Sequence, residues 1–151
     1  MEIRFCLAWM KNSASPQKAF KLHAAGSLFL EYVSRISKFV PCRTAKVALE
    51  EKKPAGTKIW LCDRSRGLKT LSSEELAGEL QKIMDQGTRR LDIVVGGADG
   101  FSQTEIEELK PDLKWSFGPM TLPHELAAVV ASEQIYRAFA IIRKLPYHSG
   151  H

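Results

Sequence analysis

Leu91-Asp92-Ile93-Val94-Val95-Gly96-Gly97-Ala98-Asp99-Gly100 is the stretch that decides how this chain is read. A short apolar, β-branched run predicts a buried strand, and the glycines directly after it predict a loop where a ligand can approach bare backbone. A plainer reading of the Gly-Gly pair is a turn that needs positive φ. The run is not the dinucleotide fingerprint: GxGxxG is not formed, and no acid stands at a strand end about 20 residues later.

Working outward, residues 3–10 read as a buried strand, and Ser13-Ala14-Ser15-Pro16 reads as a capped helix start with proline in its first turn. Phe29, Tyr32, Val33, Ile36 and Val40 recur at helical spacing, predicting a helix over roughly 15–39 that Pro41 ends. Arg43 to Leu49 predicts a second strand, residues 50–56 a charged connector, and Lys58 to Cys62 a third strand. Asp63-Arg64-Ser65-Arg66-Gly67 is a polar loop. Ser72-Ser73-Glu74-Glu75 is a capping box opening a helix with Leu76, Leu80 and Ile83 inward, closed by Gly87. Downstream of the glycine loop come a short helix from Gln103 to Leu109 and a short strand from Trp115 to Phe117. From Pro123 a long helix carries Leu126, Val129, Val130, Glu133, Ile135, Tyr136, Ala138, Phe139 and Ile142, which leave little purely polar face, so it is packed on more than one side.

Strands alternating with helices predict an α/β fold, a mostly parallel sheet flanked by helices whose ligands sit at the carboxyl ends of the strands. Three loops qualify: 61–67, 96–101 and 116–122.

A length of 151 residues with 44% hydrophobic content suits a single domain over 1–151. The net charge of +5 is uneven, since residues 1–54 hold ten Lys and Arg against four Asp and Glu. Such a basic third attracts polyanions such as RNA or anionic lipid, or simply keeps the surface solvated. Cys6, Cys42 and Cys62 are odd in number and lie far apart, suggesting neither disulfides nor a zinc site, and no metal site is expected. The N-terminal apolar run is too short for a signal peptide and no run approaches the ~20 apolar residues of a membrane span, so a cytoplasmic protein is expected.

The simplest hydrolase, nucleotidase and zincin signatures, GxSxG, GxxxxGK[ST] and HExxH, are missing from the chain. His124 follows Leu122-Pro123 at the start of the last helix, where backbone donors favour an anion; a plain surface histidine is the alternative. Arg137 lies thirteen positions further on, and Tyr147-His148 follows Pro146. Aromatic, imidazole and guanidinium groups gathered there suit stacking on an unpaired base and holding its phosphate, whereas a frayed terminus is the blander reading.

In order along the chain, Leu91 to Gly97, Thr121-Leu122-Pro123-His124, Glu133-Gln134-Ile135-Tyr136-Arg137-Ala138-Phe139 and Pro146-Tyr147-His148 closely resemble the ribosomal RNA large subunit methyltransferase H family of SPOUT methyltransferases. Leu61-Cys62-Asp63 with Leu71 to Glu75 fits as well, and Tyr32 to Phe39 more loosely. The resemblance implies a C-terminal trefoil knot, a homodimer, S-adenosylmethionine as methyl donor, and N3 of a pseudouridine in large-subunit (23S) ribosomal RNA as acceptor. It places the donor against Leu61 and Cys62, against Gly96 and Gly97, and against Gly118, Pro119, Met120, Thr121, Leu122 and Pro123. It also makes His124, Arg137, Tyr147 and His148 the catalytic candidates, the general base among them remaining open. Two departures stand out. Residues 50–56 stand where relatives usually carry a further helix, while the first helix reads as longer by several residues, and Ala128 stands where arginine is usual, which implies weaker RNA binding or another substrate. The rival readings are a divergent SPOUT methylase with another RNA substrate and a catalytically silent RNA-binding or ribosome-associated module.

Overall fold

Six strands form one sheet: β1 Glu2–Leu7, β2 Cys42–Lys46, β3 Thr57–Cys62, β4 Lys69–Thr70, β5 Arg90–Val95 and β6 Leu113–Ser116. The computed structural model describes residues 1–11, 15–63 and 68–149. Every pairing is parallel and the order is β2-β1-β5-β3-β6-β4, as an α/β sheet requires. β5 sits between β1 and β3 and is buried from Leu91 to Val95, which is why it reads as a continuous apolar run instead of an alternating one.

The two faces of the sheet bury different cores. Ile3, Phe5, Leu7, Trp60, Cys62, Leu91, Ile93 and Val95 pack under α1 His23–Ile36, α2 Ser73–Asp85 and α4 His124–Ile142. The residues between them in sequence, Cys6, Ile59, Leu61 and Val94, face the other way onto Ile106 and Leu109 of α3 Gln103–Leu109. On that second face Asp92, 1% exposed, accepts from Arg4 through both oxygens, at 2.9 and 2.8 Å, and from Arg90 Nη2 at 3.2 Å. The pairing satisfies a carboxylate that burial alone would make very costly.

The capping box before α2 is present as read, with Ser72 accepting from Glu75 N–H and Glu75 accepting from Ser72 N–H. A second one, Ser102 with Glu105, opens α3. Gly87, at φ +81°, ends the α2 segment in a conformation that favours glycine.

The helix expected over 15–39 is corrected. Pro16–Ala19 makes a single 3₁₀ turn, Ser15 gives it no side-chain bond, and α1 begins only at His23. Phe20 is extended and buried, its ring against Phe29 at 5.3 Å and Trp9 at 6.0 Å. The N–H groups of Lys21 and Leu22 donate to the carboxylate of Glu125, at 3.1 and 2.9 Å, so a side chain of α4 satisfies the chain just ahead of α1. The cap expected from Ser13, and residues 64–67 of the polar loop, lie outside the described residues.

Smaller corrections follow packing. β1 stops at Leu7 because Ala8 and Trp9 turn away, and β2 stops at Lys46. The strand expected at 115–117 runs instead from Leu113 to Ser116. The edge strand β4 has only two residues, both exposed. On α4, Leu126 is 42% exposed and does not belong to the buried side. Among the described residues no helix is long and apolar enough to cross a membrane.

All three thiols are free. Burial pushes Cys6 and Cys42 up to about 12, and Cys62 higher still. The thiolate is the reactive form, so a disulfide reagent at pH 8 is expected to react far more slowly with the native protein than with the protein in guanidinium. Equal rates would show that these thiols open readily.

Candidate functional site

The register pairs Cys62 with Val95, so the loops after β3 and β5 leave the sheet side by side, and Gly96 N–H donates to the Cys62 carbonyl at 2.9 Å. β6 lies on the other side of β3 and brings the 116–122 loop to the same edge. The three loops selected from the sequence thus surround one cavity of about 250 Å³ at the carboxyl ends of the strands.

Of the expected donor-binding residues, Cys62, Gly96, Gly97, Gly118, Pro119, Met120, Thr121 and Leu122 line this cavity. Leu61 and Pro123 are not among the lining residues. Leu61 is fully buried on the opposite face of the sheet, and Pro123 is the residue from which α4 starts. Asp63, Leu68, Trp115, Ser116, Phe117, His124 and Ala127 complete the wall.

The glycines of these loops do not all serve one physical purpose. A Cβ on Gly96 would stand 2.5 Å from Asp63 Oδ1, and one on Gly100 would stand 2.9 Å from the same atom in a backbone already at φ +68°. Phe101 N–H donates to Asp63 Oδ2 at 3.2 Å, so the loop is wrapped around this carboxylate. Gly97 has no positive φ, and a Cβ there would meet only Ala8 at 3.9 Å. The plainer reading of the Gly-Gly pair as a positive-φ turn is therefore wrong for both residues. Gly118, at φ +104°, is a true turn glycine, its N–H donating to Ser116 Oγ at 3.1 Å.

His124 lines this cavity, its ring edge-on to Trp9 at 4.6 Å and its Nε2 3.8 Å from Glu125. The other three catalytic candidates meet elsewhere. Arg137 donates from Nε and Nη2 to Glu133 Oε1 at 2.9 and 2.6 Å, and its guanidinium lies 4.8 Å from the centre of the Tyr147 ring. The Tyr147 hydroxyl donates to the same Glu133 oxygen at 3.0 Å, with Tyr32 OH 3.2 Å away. Arg137 Nη1 is 3.1 Å from His148 Nδ1, and a guanidinium can only donate. Nδ1 is therefore the acceptor, which leaves Nε2–H to donate to Glu74 Oε1 at 2.7 Å.

Tyr147 and His148 are thus docked on α1, α2 and α4, against the blander reading of a frayed terminus. Burial, and then the bonds to Tyr32 and Glu133, raise the Tyr147 hydroxyl well above its ordinary range, so it stays protonated. The bond from His148 holds the Glu74 carboxyl below its usual range. Glu133, which gathers Arg137 and Tyr147, was legible only as a helix residue, since nothing in its spacing marks a carboxylate shared by two donors.

His124 and Arg137 are thirteen residues apart on one helix, about 20 Å along its axis. One chain does not bring all four candidates to one base. Ala128 is fully buried, on the side of α4 that packs into the core.

A parallel α/β sheet with a loop-built cavity at its strand ends defines the class as α/β, with the cavity where such sheets place ligands. The family described as predicted SPOUT methyltransferase matches residues 19–148, and the chain belongs to that family. A ribosomal RNA large subunit methyltransferase H from Koribacter versatilis is 36% identical over 137 residues, covering 87% of this chain and 92% of that one. One from Maricaulis maris is 42% identical over 93 residues, covering 62% of this chain and 57% of its own length. A solved structure from Legionella pneumophila, described as a putative methyltransferase with bound S-adenosylmethionine, has a TM-score of 0.45 and 15% identity, covering 92% of this chain and 66% of that one.

Proposed function

We propose that this protein uses S-adenosylmethionine to methylate large-subunit ribosomal RNA, at N3 of a pseudouridine, and that it acts as a homodimer. The observation that carries the reading is the cavity at the ends of β3, β5 and β6, where Gly97 leaves open the space a side chain would fill. The names of the relatives support the RNA substrate. The C-terminal knot belongs to the same reading, and β6 lying between the earlier strands β3 and β4 supports it.

When bound, the sulfonium supplies a methyl group with an excellent leaving group already attached. What the chain must add is alignment of the acceptor nitrogen and removal of its proton. Trp115, Phe117 and Leu122 offer apolar surface for the donor, and the Asp63 carboxylate offers the negative charge that a cationic donor needs nearby. Arg137 stabilises the deprotonated ring, and Tyr147, kept protonated, serves as donor and stacking surface instead of base. That leaves His124 to receive the proton, or His148 once Arg137 turns to the ring and releases Nδ1.

The ~20 Å between His124 and the tail cluster along α4 favours a site in which the cavity of one protomer faces the tail of the other. Light scattering is expected to give a dimer at micromolar concentration, and a monomer would count heavily against this arrangement. In addition, dimers mixed from a Gly97→Val chain and a chain lacking residues 146–151 are expected to recover about a quarter of parental activity, since each mixed dimer keeps one intact site. No recovery would place cavity and tail in the same protomer's site.

Tritium transfer from labelled S-adenosylmethionine to large-subunit rRNA, followed by mass spectrometry of the nucleosides, tests the function. Methyl-pseudouridine is the expected product. Transfer to a different nucleoside would change the substrate, and donor binding without transfer to any rRNA would move the protein to another RNA.

A further inference from the structure

A second cleft, of about 450 Å³, shares His124 with the donor cavity. Trp9, Lys11, Ser15, Lys18 and Lys21 line it together with Glu125. The three lysines are exposed, and among the described residues none of them forms an ion pair. The positions outside the description carry no Asp or Glu.

The one carboxylate in the wall does not neutralise them. Glu125 is 5% exposed, and its two oxygens accept from the N–H groups of Lys21 and Leu22 while His124 Nε2 stands 3.8 Å away. Three cationic heads therefore line a concave surface and lack counter-charges, within a chain whose first 54 residues hold most of its positive excess. The junction with the donor cavity is the edge-on pair of Trp9 and His124.

We propose that this cleft binds the phosphodiester backbone of a single-stranded RNA segment adjoining the acceptor nucleotide and leads it past His124 to the donor cavity. The inference rests on the methyl-donor reading for its direction only. A lysine is a flexible point charge suited to phosphates whatever the base, so the cleft supplies affinity and register and not sequence choice.

The test compares the parent with a Lys11→Gln, Lys18→Gln, Lys21→Gln triple variant and with a Lys52→Gln, Lys82→Gln, Lys110→Gln control that loses the same charge from exposed positions elsewhere. Fluorescence anisotropy with a labelled single-stranded RNA 12-mer is followed across salt concentrations, and calorimetry measures S-adenosylmethionine affinity. For the cleft variant we expect at least about tenfold weaker RNA binding and a salt slope lower by about 2, as three lost phosphate contacts on a single strand require. Its donor affinity stays parental, and the control keeps most of the RNA affinity.

A parental slope in the cleft variant, equal losses in variant and control, or a parent without measurable RNA affinity would each overturn the proposal. So would a loss seen only with phosphatidylglycerol vesicles, which would assign the cleft to an anionic membrane surface. The expected slope change in the cleft variant, together with a parent that binds no S-adenosylmethionine, would support the cleft and sink the methyl-donor reading.

Discussion

Gly97→Val is expected to raise the dissociation constant for S-adenosylmethionine by more than about 1000-fold, roughly 4 kcal/mol, while the protein stays folded. Gly97 is not held at positive φ, so valine meets no backbone strain, and its Cβ finds only Ala8, at an ordinary contact distance of 3.9 Å. Gly97 itself lines the cavity of about 250 Å³, so a branched side chain there is expected to take room from a ligand. Neighbouring Gly96→Ala provides the contrast, because its added methyl stands 2.5 Å from Asp63 Oδ1 and must displace the carboxylate that organises the loop. Gly96→Ala is therefore expected to lower the melting temperature, and Gly97→Val to leave it nearly unchanged. Calorimetry on the folded Gly97→Val protein decides the matter: parental affinity would mean that this glycine faces no donor.

Those two glycines also show where the sequence was legible. The run from Leu91 to Val95 announces a central strand because both its faces are covered, and Gly96-Gly97 announces an open loop end. The capping box at Ser72 fixes α2 because both partners lie within one turn. Local signals failed where the partner was remote. α1 starts at His23 because Glu125, more than a hundred residues away, takes the N–H groups ahead of it, and no pattern near Pro16 carries that information. β4 pairs with β6 through two exposed residues, Lys69 and Thr70, that have no apolar signature. Asp63 becomes part of the cavity only through the register that sets Cys62 beside Val95.

Tyr147 and His148 are the sharpest instance, since composition makes them part of a frayed end and packing fixes them. Removing residues 146–151 is expected to lower methyl transfer on the order of 100-fold, about 2.7 kcal/mol of transition-state stabilisation, the lower end of what a positioned proton-transfer group contributes. Donor affinity should change little, because Tyr147 and His148 bond to Tyr32, Glu74, Glu133 and Arg137 and none of these lines the cavity. The single variants separate the roles. Tyr147→Phe keeps the ring 4.7 Å from Tyr136 but loses the hydroxyl that donates to Glu133, so a modest loss with an unchanged pH–rate profile is expected of a group that stays protonated. His148→Ala removes the acceptor of Arg137 and the donor to Glu74 together, and should account for most of the truncation's effect. If the truncated protein methylates rRNA at the parental rate, the docked tail only covers α4, and proton removal falls to His124, which lines the donor cavity.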